Sequence, residues 1–160
     1  MNMQGERGPL RIGLVASRFN QFIVDQLLAG AHEALSRRGL CGADTTLVWV
    51  PGAFELPLAA EHLARSGRFS AIIALGAVIR GGTPHFDYVA GECAAGLGRV
   101  ALDHGIPVMF GVLTTDTIEQ ALERAGKGGG NKGFDVAIAA LDTIEALQNL
   151  AQELGREGAK

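Results

Sequence analysis

Four short apolar runs, each followed by a segment with helical spacing, organise the chain. The runs are Arg11 to Ala16, Thr45 to Val50, Ala71 to Val78 and Pro107 to Leu113, and no charge interrupts their interiors. Uncharged runs of this length read as strands buried on both faces. After the first, Ile23, Leu27, Leu28, Ala31 and Leu35 recur at helical intervals, and the helix is expected to end near Gly39. Leu56, Ala60, Leu63 and Ala64 predict a second helix ending near Gly67, and Val89, Cys93, Leu97, Val100 and Ala101 a third ending at Gly105. Thr117 with Gln120 reads as a capping box opening a short helix of Ile118, Ala121, Leu122 and Ala125. Beyond the glycine-rich stretch Gly126 to Gly133, a last helix is expected from about Phe134 to Leu154, with Ile138, Leu141, Ile144, Leu147, Ala151 and Leu154 on or near one side. The alternation predicts a three-layer α/β/α domain, a mostly parallel four-stranded sheet between helices with right-handed crossovers. It occupies residues 10–155 as a single domain, between a flexible N-terminal tail, 1–9, and a C-terminal tail, 156–160.

The third helix is unusual. Gly91, Gly96 and Gly98 stand beside Ala90, Ala94 and Ala95, and each glycine costs about 1 kcal/mol against alanine in a helix. A close helix-to-helix approach would compensate, and packing between subunits is the reading adopted. Composition points the same way, since 48% hydrophobic residues with only 19% charged is oily for a small monomer. A net charge of −3, 6% aromatic residues and no basic run argue against nucleic acid or an anionic membrane as partner. No apolar run is long enough to span a bilayer and Met1 to Pro9 is polar, unlike a signal peptide. A cytoplasmic protein with a small ligand is expected. Cys41 and Cys93 are isolated, without metal spacing, and read as free thiols in a reducing compartment.

In parallel sheets, ligands bind outside the carboxyl ends of the strands, where strand order reverses. The unusual residues all fall there. Phe19, after the first run, could stack on a flat heterocycle or serve as a hydrophobic staple; Phe54, after the second, is equally ambiguous. Glu55 begins a helix, so capping is its default role and hydrogen bonding to ligand hydroxyls the sharper one. After the third run, Gly81 and Gly82 permit a tight turn or close approach to a ligand, and Thr83-Pro84 reads as N-cap and first helical residue. His85 then lies in the first helical turn, whose dipole favours a neutral imidazole; taken alone it reads as a surface histidine. Arg80, Arg124, Lys127 and Lys132 are the cations nearest the glycine loops, where phosphate is commonly held, although a solvated cation is the plain reading of each. Gly128 to Gly133 matches G-x-G-x-x-G but follows a helix and lacks an acidic ribose partner, so it is no dinucleotide fingerprint. Phosphate-loop and nucleophile-elbow patterns are absent from the sequence.

Taken together, Ser17-Arg-Phe-Asn20, Pro51-Gly-Ala-Phe-Glu-Leu-Pro57, Gly76 to Tyr88, Phe110-Gly-Val-Leu-Thr-Thr-Asp116, Glu123-Arg-Ala-Gly126 and Asn131-Lys-Gly133 resemble the 6,7-dimethyl-8-ribityllumazine synthase family of riboflavin biosynthesis. The resemblance runs in order from about Arg11 to Leu147. It implies condensation of 5-amino-6-(D-ribitylamino)uracil with 3,4-dihydroxy-2-butanone 4-phosphate, releasing phosphate and water, without metal or organic cofactor. By the same resemblance Phe19 would stack on the pyrimidinedione, Ala53, Phe54 and Glu55 would line the site with Glu55 on the ribityl chain, and backbone groups of Ala77, Val78 and Ile79 would hold the ring edge. Gly82 and Thr83 would cradle the phosphate with Arg124, and His85 would move protons. Phe110, Arg124 and Lys132 would come from a neighbouring subunit. The family fold is a flavodoxin-like sheet assembled as pentamers around the third helices. The short connection Gly126 to Gly133 resembles members that form sixty-subunit icosahedral shells, with riboflavin synthase as a candidate partner. Gly82 departs from the alanine or acidic residue common in the family, which leaves room only for a backbone role. Rival readings are a flavodoxin-like binding module, disfavoured by the few hydroxyls in Ser17 to Phe22, and a shell or storage protein, disfavoured by the presence of His85, Arg124 and Phe19.

Overall fold

The computed structural model describes residues 9–158. The expected N-terminal tail therefore lies, except for Pro9, outside the described residues, as do Ala159 and Lys160. Four strands form one parallel sheet: β1 (Ile12–Ser17), β2 (Thr45–Val50), β3 (Ala71–Ile79) and β4 (Val108–Thr115), in the order β2-β1-β3-β4. Helices α1 (Gln21–Arg37), α2 (Leu56–Arg65), α3 (His85–His104), α4 (Ile118–Arg124) and α5 (Lys132–Gly158) connect and cover them. The predicted elements are all present. The third and fourth strands extend further than their apolar runs, because β3 and β4 stay in register as far as Ile79 and Thr115. The last helix starts before Phe134 and continues to Gly158, past the boundary at 155 that the sequence suggested. Among the described residues, no helix is long and apolar enough to cross a membrane.

Strand alternation divides the core into two layers. Leu14, Ala16, Ile73 and Leu75 face α1, α4 and α5; Val15, Ile72, Ala74 and Val112 face α2 and α3. The strands β1 and most of β3 are buried on both faces, as expected of an interior parallel strand. The edge strands are the exceptions: β4 is half-buried from Val108 to Phe110 and exposed at Thr114. At the sheet edge, β2 is only half-buried and Leu47 is exposed, because it has a single neighbour to pair with and less helix over it.

The glycines of α3 separate into two uses. Gly96 packs inside the chain, where an added Cβ would come within 2.7 Å of Pro57 on α2, whereas Gly91 and Gly98 face open space. The close approach expected at Gly96 is thus met within the chain, by α2, rather than between subunits. At the far end of the same helix pair, Glu61 on α2 meets His104 Nε2 on α3 at 2.8 Å. Hydrogen bonds first from His104 and then from Arg65 lower the Glu61 carboxyl below the ordinary carboxylate value. Cys93 lies fully buried in the α2–α3 layer, and burial pushes its thiol up to about 12. It is a packing residue with no nucleophilic character.

Candidate active site

The strand order reverses between β1 and β3, and a cavity of about 580 Å³ opens at the carboxyl ends of β1, β2 and β3. Its wall gathers residues distant in sequence: Phe19, Ala53, Phe54, Glu55, Ala77, Val78, Ile79, Thr83 and His85. Most of that wall is apolar, as suits a flat heterocycle, with polar groups at a few points.

Local structure explains why each group is held there. The loop after β1 is tied to the loop after β2 by Arg18 N–H to the Val50 carbonyl at 2.8 Å and Phe19 N–H to the Pro51 carbonyl at 3.0 Å. Phe19 and Phe54 leave 70% and 58% of their surfaces exposed, so neither is consumed as a staple. Ala53, Phe54 and Glu55 form one turn of 3₁₀ helix before α2, and Glu55 Oε1 accepts from Gly52 N–H at 2.9 Å. The capping role of Glu55 is therefore real, but it commits one oxygen of a carboxylate that has a second.

The sequence missed one member of this rim. Asn20 has φ 60° and ψ 41°, the only non-glycine residue among those described with a positive φ. Its Nδ2 donates to the Ala77 carbonyl at 3.0 Å. Pairing of β1 with β3 stops at Leu75, so the Asn20 amide stands in for the partner β1 no longer supplies. The signal was available: asparagine tolerates the left-handed region better than other residues with a side chain, and it stands before a helix.

The turn before α3 corrects one expectation. The helix starts at His85, with Pro84 at the N-cap position at φ −71° and ψ 3°, so Thr83 does not cap it. The Asp87 N–H closes this turn onto the Pro84 carbonyl at 3.0 Å. No side chain caps the helix start, where the first N–H groups have no intrahelical acceptor, a setting suited to an anion. Gly81 and Thr83 line the cavity with exposed His85, while Gly82 between them lies outside the wall and faces open space. Arg80 is absent from that wall. Its guanidinium binds Asp116 at 3.0 Å and Asp87 at 3.4 Å and lies 4.4 Å from the centroid of Phe86. The Asp116 hydrogen bond is the first cause of its raised pKa. Arg80 braces the β4 loop against α3.

Phe110, Arg124 and Lys132 lie elsewhere. They line a second hollow of about 630 Å³ beside β4, together with Thr114, Asn131 and Asp135. Arg124 donates to the Gln120 carbonyl of its own helix at 3.1 Å and is otherwise exposed. The capping box predicted for α4 is formed, Gln120 N–H meeting Thr117 Oγ1 at 3.1 Å and Thr117 N–H meeting Gln120 Oε1 at 3.4 Å.

Residues 9–148 match the family model described as 6,7-dimethyl-8-ribityllumazine synthase. The chain belongs to this family. A relative named 6,7-dimethyl-8-ribityllumazine synthase, from Nitratidesulfovibrio vulgaris, is 56% identical over 141 residues, which cover 88% of this chain and 90% of the relative. The match spans all four strands and both hollows. In this lumazine synthase family member the candidate residues divide between two hollows: one chain holds the apolar wall and the histidine on one side, and the arginine and lysine on another.

Proposed function

We propose that the cavity between β1 and β3 is where this chain carries out the reaction of its family, the condensation of 5-amino-6-(D-ribitylamino)uracil with 3,4-dihydroxy-2-butanone 4-phosphate to 6,7-dimethyl-8-ribityllumazine, phosphate and water. The observation that carries the assignment of residues is the convergence of Phe19, Glu55, Thr83 and His85 on one wall at the switch point of the sheet. Phe19 stacks on the pyrimidinedione, Ala53, Phe54 and Glu55 hold the ribityl side, and Ala77, Val78 and Ile79 border the ring edge. Thr83 and the uncapped start of α3 receive the phosphate, with Gly82 contributing backbone and a neighbouring chain's second hollow contributing Phe110, Arg124 and Lys132.

The chemistry needs proton traffic at each stage. The 5-amino group attacks the ketone and water leaves to give an imine; a proton is then lost from the hydroxyl-bearing carbon as phosphate departs from the next one, leaving an enol that tautomerises to a ketone; finally the ribitylamino nitrogen attacks that ketone and a second water leaves as the second ring closes. His85 stands where a group able both to take and to return a proton serves all of these stages. An arginine and backbone N–H groups neutralise charge on the departing phosphate. These roles call for no metal or organic cofactor. Orienting two bound reactants contributes most of the rate. Mixing the purified protein with both substrates should therefore generate lumazine fluorescence and inorganic phosphate together. His85→Ala should slow turnover by only about tenfold, less than is usual for a lost acid–base group. Absence of product with the parent chain overturns the reading, and complete inactivity of a variant that still binds both substrates overturns the weight given to orientation.

A site split between chains requires an oligomer. The exposed face of α3 carries Tyr88, Gly91, Gly98 and Leu102, apolar or small residues left uncovered by the chain's own fold, and these suit packing around the axis of a pentamer. The short Gly126–Gly133 connection favours further assembly into a sixty-subunit shell, within which riboflavin synthase is a candidate guest. Sedimentation should show the shell; a species of roughly five chains alone would exclude it. Free Cys41 and Cys93 suit a cytoplasmic setting.

A further inference from the structure

The connection between α4 and α5 is closed by one amide. Asn131 Nδ2 donates to the Gln26 carbonyl of α1 and to the Ala125 carbonyl just beyond α4, each at 3.0 Å, and its Oδ1 accepts from Phe134 N–H at 3.0 Å. A single side chain thereby joins α1, α4 and α5, using two donations and one acceptance that a primary amide supplies and a carboxylate cannot. Ala125 and Asn131 also form an isolated antiparallel bridge, so the loop between them returns to its starting point. Neighbouring positions leave room for this closure. A side chain at Gly30 would collide with the Asn131 amide, and a methyl group on Gly133 would strike the Leu27 carbonyl.

The clasp stands between two cations of the second hollow. Arg124 ends α4 and Lys132 begins α5, and both line the hollow with Asn131. The loop separating them is Gly126-Lys-Gly-Gly-Gly130, a sequence too permissive to fix their spacing itself. Asn131 supplies that constraint from outside the loop.

We propose that Asn131 is a positioning residue, whose amide holds Arg124 and Lys132 at the separation that admits the phosphorylated substrate. This rests on the assignment of Arg124 to the phosphate in the proposed function. Two variants test it from opposite sides. Asn131→Asp keeps size and the acceptor for Phe134 N–H but loses both donations. Gly30→Ala introduces no charge, leaves Asn131 in the chain and displaces its amide from the α1 side, while favouring helix formation. Both should fold, assemble and raise KM for the phosphorylated substrate by about 5- to 20-fold, the effect of losing one or two ordinary hydrogen bonds. KM for the pyrimidine should move less than about twofold, and kcat should change less than the phosphorylated-substrate KM. If neither variant raises that KM while Arg124→Ala does, the proposal for Asn131 is overturned alone. If Arg124→Ala also leaves it unchanged, the phosphate assignment beneath it fails. A rise in Asn131→Asp without one in Gly30→Ala assigns the effect to the new charge and overturns the clasp. Loss of folding in both variants, or equal damage to both substrates, assigns Asn131 to stability and overturns it too.

Discussion

Replacing Arg124 with alanine should raise KM for 3,4-dihydroxy-2-butanone 4-phosphate by about 10- to 100-fold while leaving KM for the pyrimidine nearly unchanged. A hydrogen bond to a charged group contributes about 1.5–3 kcal/mol, and each 1.4 kcal/mol is a factor of ten. Among the described residues the Arg124 guanidinium makes a single hydrogen bond, Nη1 to the Gln120 carbonyl, so a group with five N–H donors keeps most of them for an anion. Steady-state kinetics with each substrate varied in turn checks the prediction, and an unchanged constant for the phosphorylated substrate removes Arg124 from the site. Because Arg124 and His85 line different hollows of one chain, mixed assemblies of Arg124→Ala and His85→Ala chains should contain some sites with both groups intact. Activity of the mixture above the mean of the two separate variants is the expected result. Strict additivity would place both residues within the same chain's site.

Leu75→Ala should destabilise the fold by about 2–5 kcal/mol, the usual range for truncating a buried leucine. Leu75 is 0% exposed, sits in the α1–α5 layer and pairs with Ala16 on one side and Gly111 on the other. No neighbour on that central strand can collapse into the space without disturbing β1 or β4. The loss is large against the 5–15 kcal/mol of net stability common to domains. Urea unfolding reads it directly, as a lower midpoint with an unchanged slope. A shift of less than about 1 kcal/mol would mean that the layer repacks freely.

The two predictions draw on different kinds of information. Leu75 was legible as core from the uncharged run around it, since a strand buried on both faces has no solvated side for a polar residue. The same logic located β1, β3, β4 and the helices. It was less informative at the edge strands, β2 above all, where pairing on only one side leaves an apolar run partly uncovered. Strand ends were read short at β3 and β4, because their last residues are held by register with each other, which no local pattern reports. At α3 the Thr83-Pro84 pair suggested a cap, and backbone closure onto the Pro84 carbonyl moved the helix start by one residue.

Within the candidate site, Phe19, Phe54, Glu55 and His85 were legible because each is an unusual residue beside a turn. Asn20 and Asn131 were not singled out, since an asparagine near a helix start or a glycine loop has many uses and its partners lie far away in sequence. For Asn20 the partner is Ala77, and for Asn131 it includes Gln26. Arg80 illustrates the converse. A cation beside a glycine turn looks available until Asp116 and Asp87 are found to hold it.

By itself the sequence determined the alternation of strands and helices, the parallel sheet that alternation requires, and the residue types gathered after each strand, because periodicity and turn chemistry are local properties. The tertiary structure decided which of those residues share a wall. It placed Thr83 and His85 with Phe19 and Glu55 at the reversal of strand order, committed Arg80 to an ion pair, and set Arg124 and Lys132 apart in a second hollow closed by Asn131. Those outcomes depend on contacts between segments far apart along the chain, whose geometry exists only once the sheet has formed and the helices have packed against it.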